Sequence, residues 1–187
     1  MDTENKNVAV LEAGRPIPSP ITHLSFMASQ IWLRIVAAAT SITAAILIFK
    51  SRESKVLFGT DVDARYSYSP AFKFFAMMNV VACGFSVVSL LPVFTLGRKF
   101  SSSINYFFLF LHDLMLTTLL AASCGAATTV AQIGKYGNNH AGWMPICDNF
   151  GKFCHKVAAS LILGYIAIFC YLVLTVISAN KARQVPV

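Results

Sequence analysis

Two side chains of opposite charge lie inside long apolar stretches of this chain and are its best candidates for chemistry. Arg34 lies in the first stretch, and Asp113 is the only acidic residue within the apolar stretches. A guanidinium and a carboxylate can form a bidentate ion pair, because the N–H fork of one matches the oxygens of the other. The two groups could instead form a substrate or proton site, or join two subunits.

The cost of burying charge in hydrocarbon favours the pairing of Arg34 with Asp113. A lone charge near the centre of a membrane helix costs about 2.5–3.5 kcal/mol on insertion scales. Arg34 lies ten residues after Leu24, and Asp113 lies nine residues after Ile104. Two helices that begin near Leu24 and Ile104 and run in the same direction therefore hold the charges at similar depth. His112 points about 100° away from Asp113 on such a helix, so a proton relay through both is disfavoured.

Small side chains recur at helical spacing beside both charges. Small residues allow membrane helices to approach closely, because lipid does not replace that contact. We expect the two stripes to face each other, with the ion pair between them. The first stripe is Arg34, Ala38, Ser41 and Ala45, and the second is Asp113, Thr117, Ala121, Gly125 (or its neighbour Cys124) and Thr128.

Two cysteines lie in a polar segment rather than in an apolar one. Cys147 and Cys154 belong to residues 134–156, whereas the other three cysteines (Cys83, Cys124 and Cys170) lie in apolar stretches. If residues 134–156 face an oxidising compartment, a disulfide is expected, and it would hold Trp143 and Phe150 at the membrane surface. A metal site is the alternative, although the spacing fits no common zinc pattern. Its ligands would be His140, Cys147, Cys154 and His155.

The sequence lacks the usual signatures of an active site. It shows no phosphate-binding glycine loop, no Ser–His–acid set and no pair of carboxylates placed for acid–base chemistry. We therefore expect no enzyme, no cofactor, no bound metal and no small-molecule substrate.

Composition places the chain among membrane proteins. The chain has 187 residues, of which 56% are hydrophobic and 12% charged, whereas soluble domains carry about 25% charged residues. Four apolar blocks exceed the about 20 residues that a spanning helix needs. The sequence thus predicts an all-α membrane protein: a bundle of four transmembrane helices within 24–180, a flexible tail at 1–23 and a short basic tail at 181–187. The predicted spans are about 24–49, 70–96, 104–133 and 157–179.

The distribution of positive charge leaves the orientation almost undecided. Lys and Arg are nearly equally numerous in the segments on the two sides, so the positive-inside rule gives a near tie. Residues 97–103 and 180–187 are basic without any acid, which suits the anionic cytoplasmic leaflet. The paired cysteines favour the opposite side for residues 134–156. We predict that both termini are cytoplasmic. The net charge of +7 favours attraction to membrane lipid over binding of nucleic acid.

Four segments carry a family resemblance. They are LRIVAAATSITAAILI (33–48), YSYSPAFKFF (66–75), HDLMLTTLLAASCGAATTVAQIGKYGNNHAGWMPICDNFGKFC (112–154) and LTVISA (174–179). In these segments the chain resembles the CASP-like proteins of plants, relatives of the Casparian strip membrane domain proteins and of MARVEL-type four-helix proteins. The resemblance implies an intramembrane Arg and Asp at Arg34 and Asp113, and paired loop cysteines at Cys147 and Cys154.

The resemblance also implies a function. It points to a multi-pass plasma-membrane scaffold with cytoplasmic termini, which forms homo- or hetero-oligomers with related four-span proteins and builds membrane domains or barriers. Strip-forming members recruit secreted wall-modifying enzymes, but their first outer-loop motif is not recognisable in residues 50–69. The alternative is a small transporter or channel subunit that uses Arg34 and Asp113 and lines a continuous polar path.

Overall fold

Four long helices account for most of the chain. The computed structural model describes residues 20–57, 59–96 and 103–184. The helices are α1 (Pro20–Phe49), α2 (Pro70–Leu96), α3 (Ser103–Tyr136) and α4 (Gly151–Gln184). Each contains a segment long and apolar enough to cross a membrane, and helices suit hydrocarbon because they satisfy their backbone polar groups internally. The prediction of an all-α, four-span membrane protein is confirmed.

The helix ends differ from the predicted spans by a few residues. Helix α1 begins at Pro20, inside the segment predicted as a tail, and proline suits the first turn because its missing N–H has no partner there. Helix α4 begins six residues before the predicted start at Val157. Helix α4 also continues to Gln184, through the first four residues of the tail predicted at 181–187. The remainder of the predicted tails, residues 1–19 and 185–187, lies outside the described residues.

The four helices form a closed ring of neighbours. Helix α1 packs against α2 and α4, and α3 packs against the same two helices. Helices α1 and α3 therefore lie across one diagonal of the bundle, and α2 and α4 lie across the other. The second diagonal is bridged by Tyr171 of α4, whose hydroxyl donates to the carbonyl of Ala82 at 2.7 Å and lies 2.6 Å from Ser86 Oγ on α2.

A β-hairpin joins α1 to α2. Strand β1 (Arg52–Leu57) pairs in antiparallel fashion with β2 (Thr60–Arg65). Gly59 in the turn adopts a φ of 81°, which glycine accepts readily because it has no Cβ. Residues 50–69 were expected only to connect two spans, and no strand was predicted there. We call this end of the bundle the hairpin end. The opposite end, where α1 begins and α4 ends, is the terminal end.

Candidate functional site

The two predicted charges meet inside the bundle. Arg34 Nη2 lies 2.8 Å from Asp113 Oδ2, and Arg34 Nη1 lies 3.1 Å from Asp113 Oδ1. Both side chains have an exposed fraction of 0%. The contact is therefore a bidentate ion pair, which fixes direction as well as distance, and it links the two helices that lie across the bundle from each other.

All four helices contribute to the surroundings of this ion pair. Ser89 Oγ on α2 accepts from Arg34 Nη1 at 2.7 Å. Ser178 Oγ on α4 donates to Asp113 Oδ2 at 3.5 Å and accepts from Gln30 Nε2 on α1 at 3.4 Å. We call these five residues the polar cluster. Gln30, Ser89 and Ser178 were not predicted as members of this site, because a polar side chain within a span does not reveal which neighbour it faces.

The polar cluster lies toward the terminal end and is closed to solvent. Asp113 precedes Lys135 by 22 residues, and Ser178 follows Lys156 by 22 residues, which corresponds to about 33 Å along each helix. All its members except Ser89, at 6%, have exposed fractions of at most 1%. Within the described residues, Arg34 Nε and Gln30 Oε1 are buried without a protein partner. The cluster can therefore hold the helices together, but it offers a solute no open face.

His112 contacts the polar cluster through Asp113 and is itself partly exposed. Its Nδ1 lies 3.5 Å from Asp113 Oδ1, and 29% of its side chain is exposed. The imidazole packs edge-on against Phe85, with 5.2 Å between ring centroids. The imidazole therefore has a polar partner in Asp113 and an aromatic one in Phe85.

The predicted packing stripes are only partly internal. On α1, Ser41 and Ala45 are buried and Ala38 is half-buried. On α3, Thr117 and Thr128 are half-buried, whereas Ala121 and Gly125 are exposed, so their predicted place in the stripe is wrong. Helices α1 and α3 are not neighbours in the ring but lie across its diagonal, so the predicted close packing of one stripe against the other is wrong. The long Arg34 side chain spans the gap. The buried face of α3 is Asp113, Leu116, Leu120, Ser123, Cys124 and Ala127.

The loop cysteines form a disulfide. Cys147 and Cys154 are bonded, with 5.7 Å between their Cα atoms. The bond decides against the metal site, because neither sulfur remains as a thiolate ligand, and no group of three or more potential metal ligands occurs within the described residues. Trp143 is 55% exposed, as expected of a surface residue. Phe150 is only 5% exposed. Its predicted place on the surface is wrong, because its ring joins the apolar core beneath the loop.

A contact that was not predicted from the sequence joins the hairpin to the start of α4. Glu53 Oε2 accepts from the backbone N–H of Phe153 at 2.9 Å. The first N–H groups of a helix lack internal partners and carry partial positive charge, so a carboxylate there caps the helix. Lys156 Nζ also donates to the carbonyl of Lys50 at 3.1 Å. We call these two contacts the hairpin latch. Its carboxylate and N–H lie 100 residues apart, and no spacing in the sequence signals it.

The hairpin also carries a carboxylate, Asp63, whose pKa is lowered. Tyr68 donates to Asp63 Oδ1 at 2.8 Å, and Arg65 forms an ion pair with the same carboxylate. The Tyr68 hydrogen bond, together with Arg65, holds the pKa of Asp63 below its ordinary value of 3.8. The same hydrogen bond raises the pKa of Tyr68 above 10.0. Tyr68 is exposed and Asp63 is half-buried, so this pair shapes the hairpin surface rather than the core.

These features define a class: a four-span membrane protein with a buried ion pair and a disulfide-bonded loop. A family model described as "Casparian strip membrane protein domain" matches residues 24–170 of the chain. The chain is 46% identical to CASP-like protein 1F1 of Vitis vinifera over 166 residues, which cover 89% of this chain and 81% of that protein.

Two further relatives give the same result. CASP-like protein 1F1 of Populus trichocarpa is 44% identical over 178 residues, which cover 95% of this chain and 97% of that protein. CASP-like protein 1F1 of Ricinus communis is 48% identical over 163 residues, which cover 87% of this chain and 90% of that protein. No solved structure matches the chain. The chain therefore belongs to the CASP-like family of plants, and the resemblance noted from its sequence is confirmed.

Proposed function

We propose that this protein is a plasma-membrane scaffold that self-associates into membrane domains or barriers and organises local modification of the cell wall. The observation that carries the proposal is the complete burial of the Arg34–Asp113 pair, whose charges offset each other inside the bundle. A charge pair with no exposed face stabilises the packing of helices and is poorly suited to bind a passing solute.

The outer faces of the helices support an assembly role. Each helix exposes large apolar side chains along its length, and such faces suit lipid and a second subunit equally well. This surface is consistent with homo-oligomers and with hetero-oligomers of related four-span proteins. Representative exposed residues are Trp32 and Ile46 on α1, Phe85 and Val88 on α2, Phe108 and Met115 on α3, and Phe169 and Leu172 on α4.

We further propose that the hairpin end faces the cell wall and that both termini are cytoplasmic. The Cys147–Cys154 disulfide lies at the hairpin end, and disulfides persist in oxidising compartments. In this orientation the hairpin and the exposed Trp143 and Met144 face the wall. They form the surface at which secreted wall-modifying enzymes would be recruited. We propose that the protein itself is not an enzyme and binds no cofactor.

Crosslinking in intact membranes, followed by mass analysis of the bound proteins, tests the scaffold. The proposal predicts ladders of this chain and related four-span proteins. Recovery of monomers alone contradicts it. Solute flux in proteoliposomes that Asp113→Asn abolishes would instead support the alternative of a transporter or channel subunit.

The orientation has its own test. Ser54→Cys places a thiol on the hairpin, and Ala182→Cys places one near the end of α4, at the terminal end. A membrane-impermeant maleimide applied to intact protoplasts is expected to label the first variant and not the second, while both react after lysis. The reverse pattern contradicts the proposed orientation.

A further inference from the structure

A groove opens between α3 and α4 at the hairpin end, beneath the disulfide. It encloses about 560 Å³, within the about 300–1,000 Å³ that is usual for small-molecule pockets. Its walls are mainly apolar, formed by Ala131, Val157, Ala158, Leu161 and Ile162. Most of these walls belong to helical segments long and apolar enough to lie in a membrane, where an occupant with an apolar body is available.

The lower end of the groove is marked by a polar contact between its two walls. Thr128 Oγ1 on α3 lies 2.9 Å from the Tyr165 hydroxyl on α4. Thr128 precedes Lys135 by seven residues, so the groove extends about 10 Å below its mouth. This length suits the upper part of an acyl chain.

The mouth of the groove is basic. Lys135 and His155 line it, and none of the lining residues is acidic. Lys135 lies over the ring of Tyr136, 5.0 Å from its centroid, and makes no ion pair with a described carboxylate. A lysine at the end of a membrane helix reaches toward the interface, where phosphate groups lie. The mouth therefore offers an ammonium and an imidazole to an anion directly above an apolar slot.

We propose that this groove is a binding site for one anionic glycerophospholipid, with an acyl chain between α3 and α4 and the phosphate at Lys135 and His155. The inference is separate from the scaffold function and from the proposed orientation, and stands if either fails. With the hairpin end facing the wall, the groove opens to the outer leaflet and not to the anionic cytoplasmic one, so it has to select a minority lipid there. Charge complementarity favours this occupant over an apolar helix of a second copy or a sterol, because neither of those carries an anion that could contact Lys135 and His155 at the mouth.

The test is native mass spectrometry of the purified full chain after incubation with phosphatidylglycerol or phosphatidylcholine of matched acyl chains. One phosphatidylglycerol per chain is expected to survive detergent removal in preference to phosphatidylcholine. Lys135→Gln is expected to weaken its retention about tenfold, the effect of one charge-assisted contact. Lys152→Gln is the matched control, because Lys152 is exposed on the first turn of α4 and does not line the groove. It is expected to retain the lipid.

A second variant removes the slot instead of the charge. Ala158 is exposed and lines the groove, so Ala158→Trp fills the slot without disturbing the core. Retention is expected to fall at least as far as in Lys135→Gln, while formation of the Cys147–Cys154 disulfide reports an intact fold. Equal retention of the two lipids, displacement of phosphatidylglycerol by a sterol, or full retention by Ala158→Trp would each overturn the proposal.

Discussion

The two ends of the bundle use charge in opposite ways. At the terminal end, the polar cluster is buried, draws on all four helices and offsets a full positive charge with a full negative one. At the hairpin end, most charges are exposed. The Glu53 carboxylate of the hairpin latch accepts from the backbone N–H of Phe153, and it also forms a longer ion pair with the exposed Lys55, at 3.7 Å. The buried set fixes the bundle, whereas the exposed set shapes the surface of the hairpin end.

This difference sets the size of the expected mutational effects. Removing one partner of a buried ion pair leaves an uncompensated charge, which costs about 3–5 kcal/mol. Removing a helix cap costs about 0.5–2 kcal/mol. The terminal end should therefore control folding, and the charged side chains of the hairpin end should tolerate change.

The largest effect is expected from Asp113→Asn. The substitution leaves the Arg34 guanidinium buried without a counter-charge, so the free energy of unfolding should fall by about 3–5 kcal/mol. Titration of bicelle-embedded protein with a denaturing detergent measures it. Asp148→Asn, at an exposed carboxylate of the disulfide loop, is the matched control and should change stability by at most about 0.5 kcal/mol. Equal losses in the two variants would contradict the comparison.

The disulfide should contribute the next largest effect. Cys147→Ser with Cys154→Ser opens a ring of eight residues, for which the chain-entropy relation gives a loss of about 2.5 kcal/mol. The same unfolding titration checks this value. Cys83→Ser, at a half-buried free cysteine within α2, separates loss of the bond from loss of a thiol. A disulfide variant as stable as this control would show that the loop is ordered without its bond.

Loss of the hairpin latch should have a smaller and local effect. Glu53→Gln keeps the shape of the side chain but removes the charge at the start of α4, so about 0.3–1 kcal/mol is lost. Hydrogen exchange should quicken at the Phe153 amide. Asp61→Asn on the same hairpin is the control, because Asp61 is exposed and distant from α4 along β2. Unchanged exchange at Phe153 would mean that the carboxylate does not cap the helix.

The smallest effect concerns the hairpin surface. Tyr68→Phe removes the main cause of the lowered pKa of Asp63, so that pKa should rise toward 3.8. A depressed carboxyl pKa stabilises the native hairpin above pH 3.8, and this contribution is lost as the pH falls through the native pKa. NMR titration of the Asp63 carboxyl carbon gives the value. An unchanged pKa would assign the shift to Arg65 instead.

The main architecture could be predicted from sequence because it follows from few physical constraints. Spans of the required length show directly in the hydropathy, and the pairing of Arg34 with Asp113 follows from the cost of a lone buried charge. Cys147 and Cys154 stood out because, of the five cysteines, only these two lie in a polar segment. These signals are local, or depend on charge alone.

The remaining features depend on how helices are rotated and arranged. Ala121 and Gly125 are small and correctly spaced, yet α3 turns them outward because its interior face follows Leu116 and Leu120. Phe150 lies in a polar loop by sequence but folds beneath it. Glu53 meets Phe153 only because the hairpin folds over the start of α4. Such contacts join residues far apart in the chain, and no periodicity encodes them.

The most direct test of the account is a charge exchange across the bundle diagonal. Arg34→Asp, Asp113→Arg and the double variant are compared with the native chain by unfolding in bicelles. Each single change places two like charges together in a buried site, and the double variant restores an ion pair. We expect the double variant to recover more than half of the stability lost by either single variant. Losses that simply add would contradict the direct pairing on which the closed bundle depends.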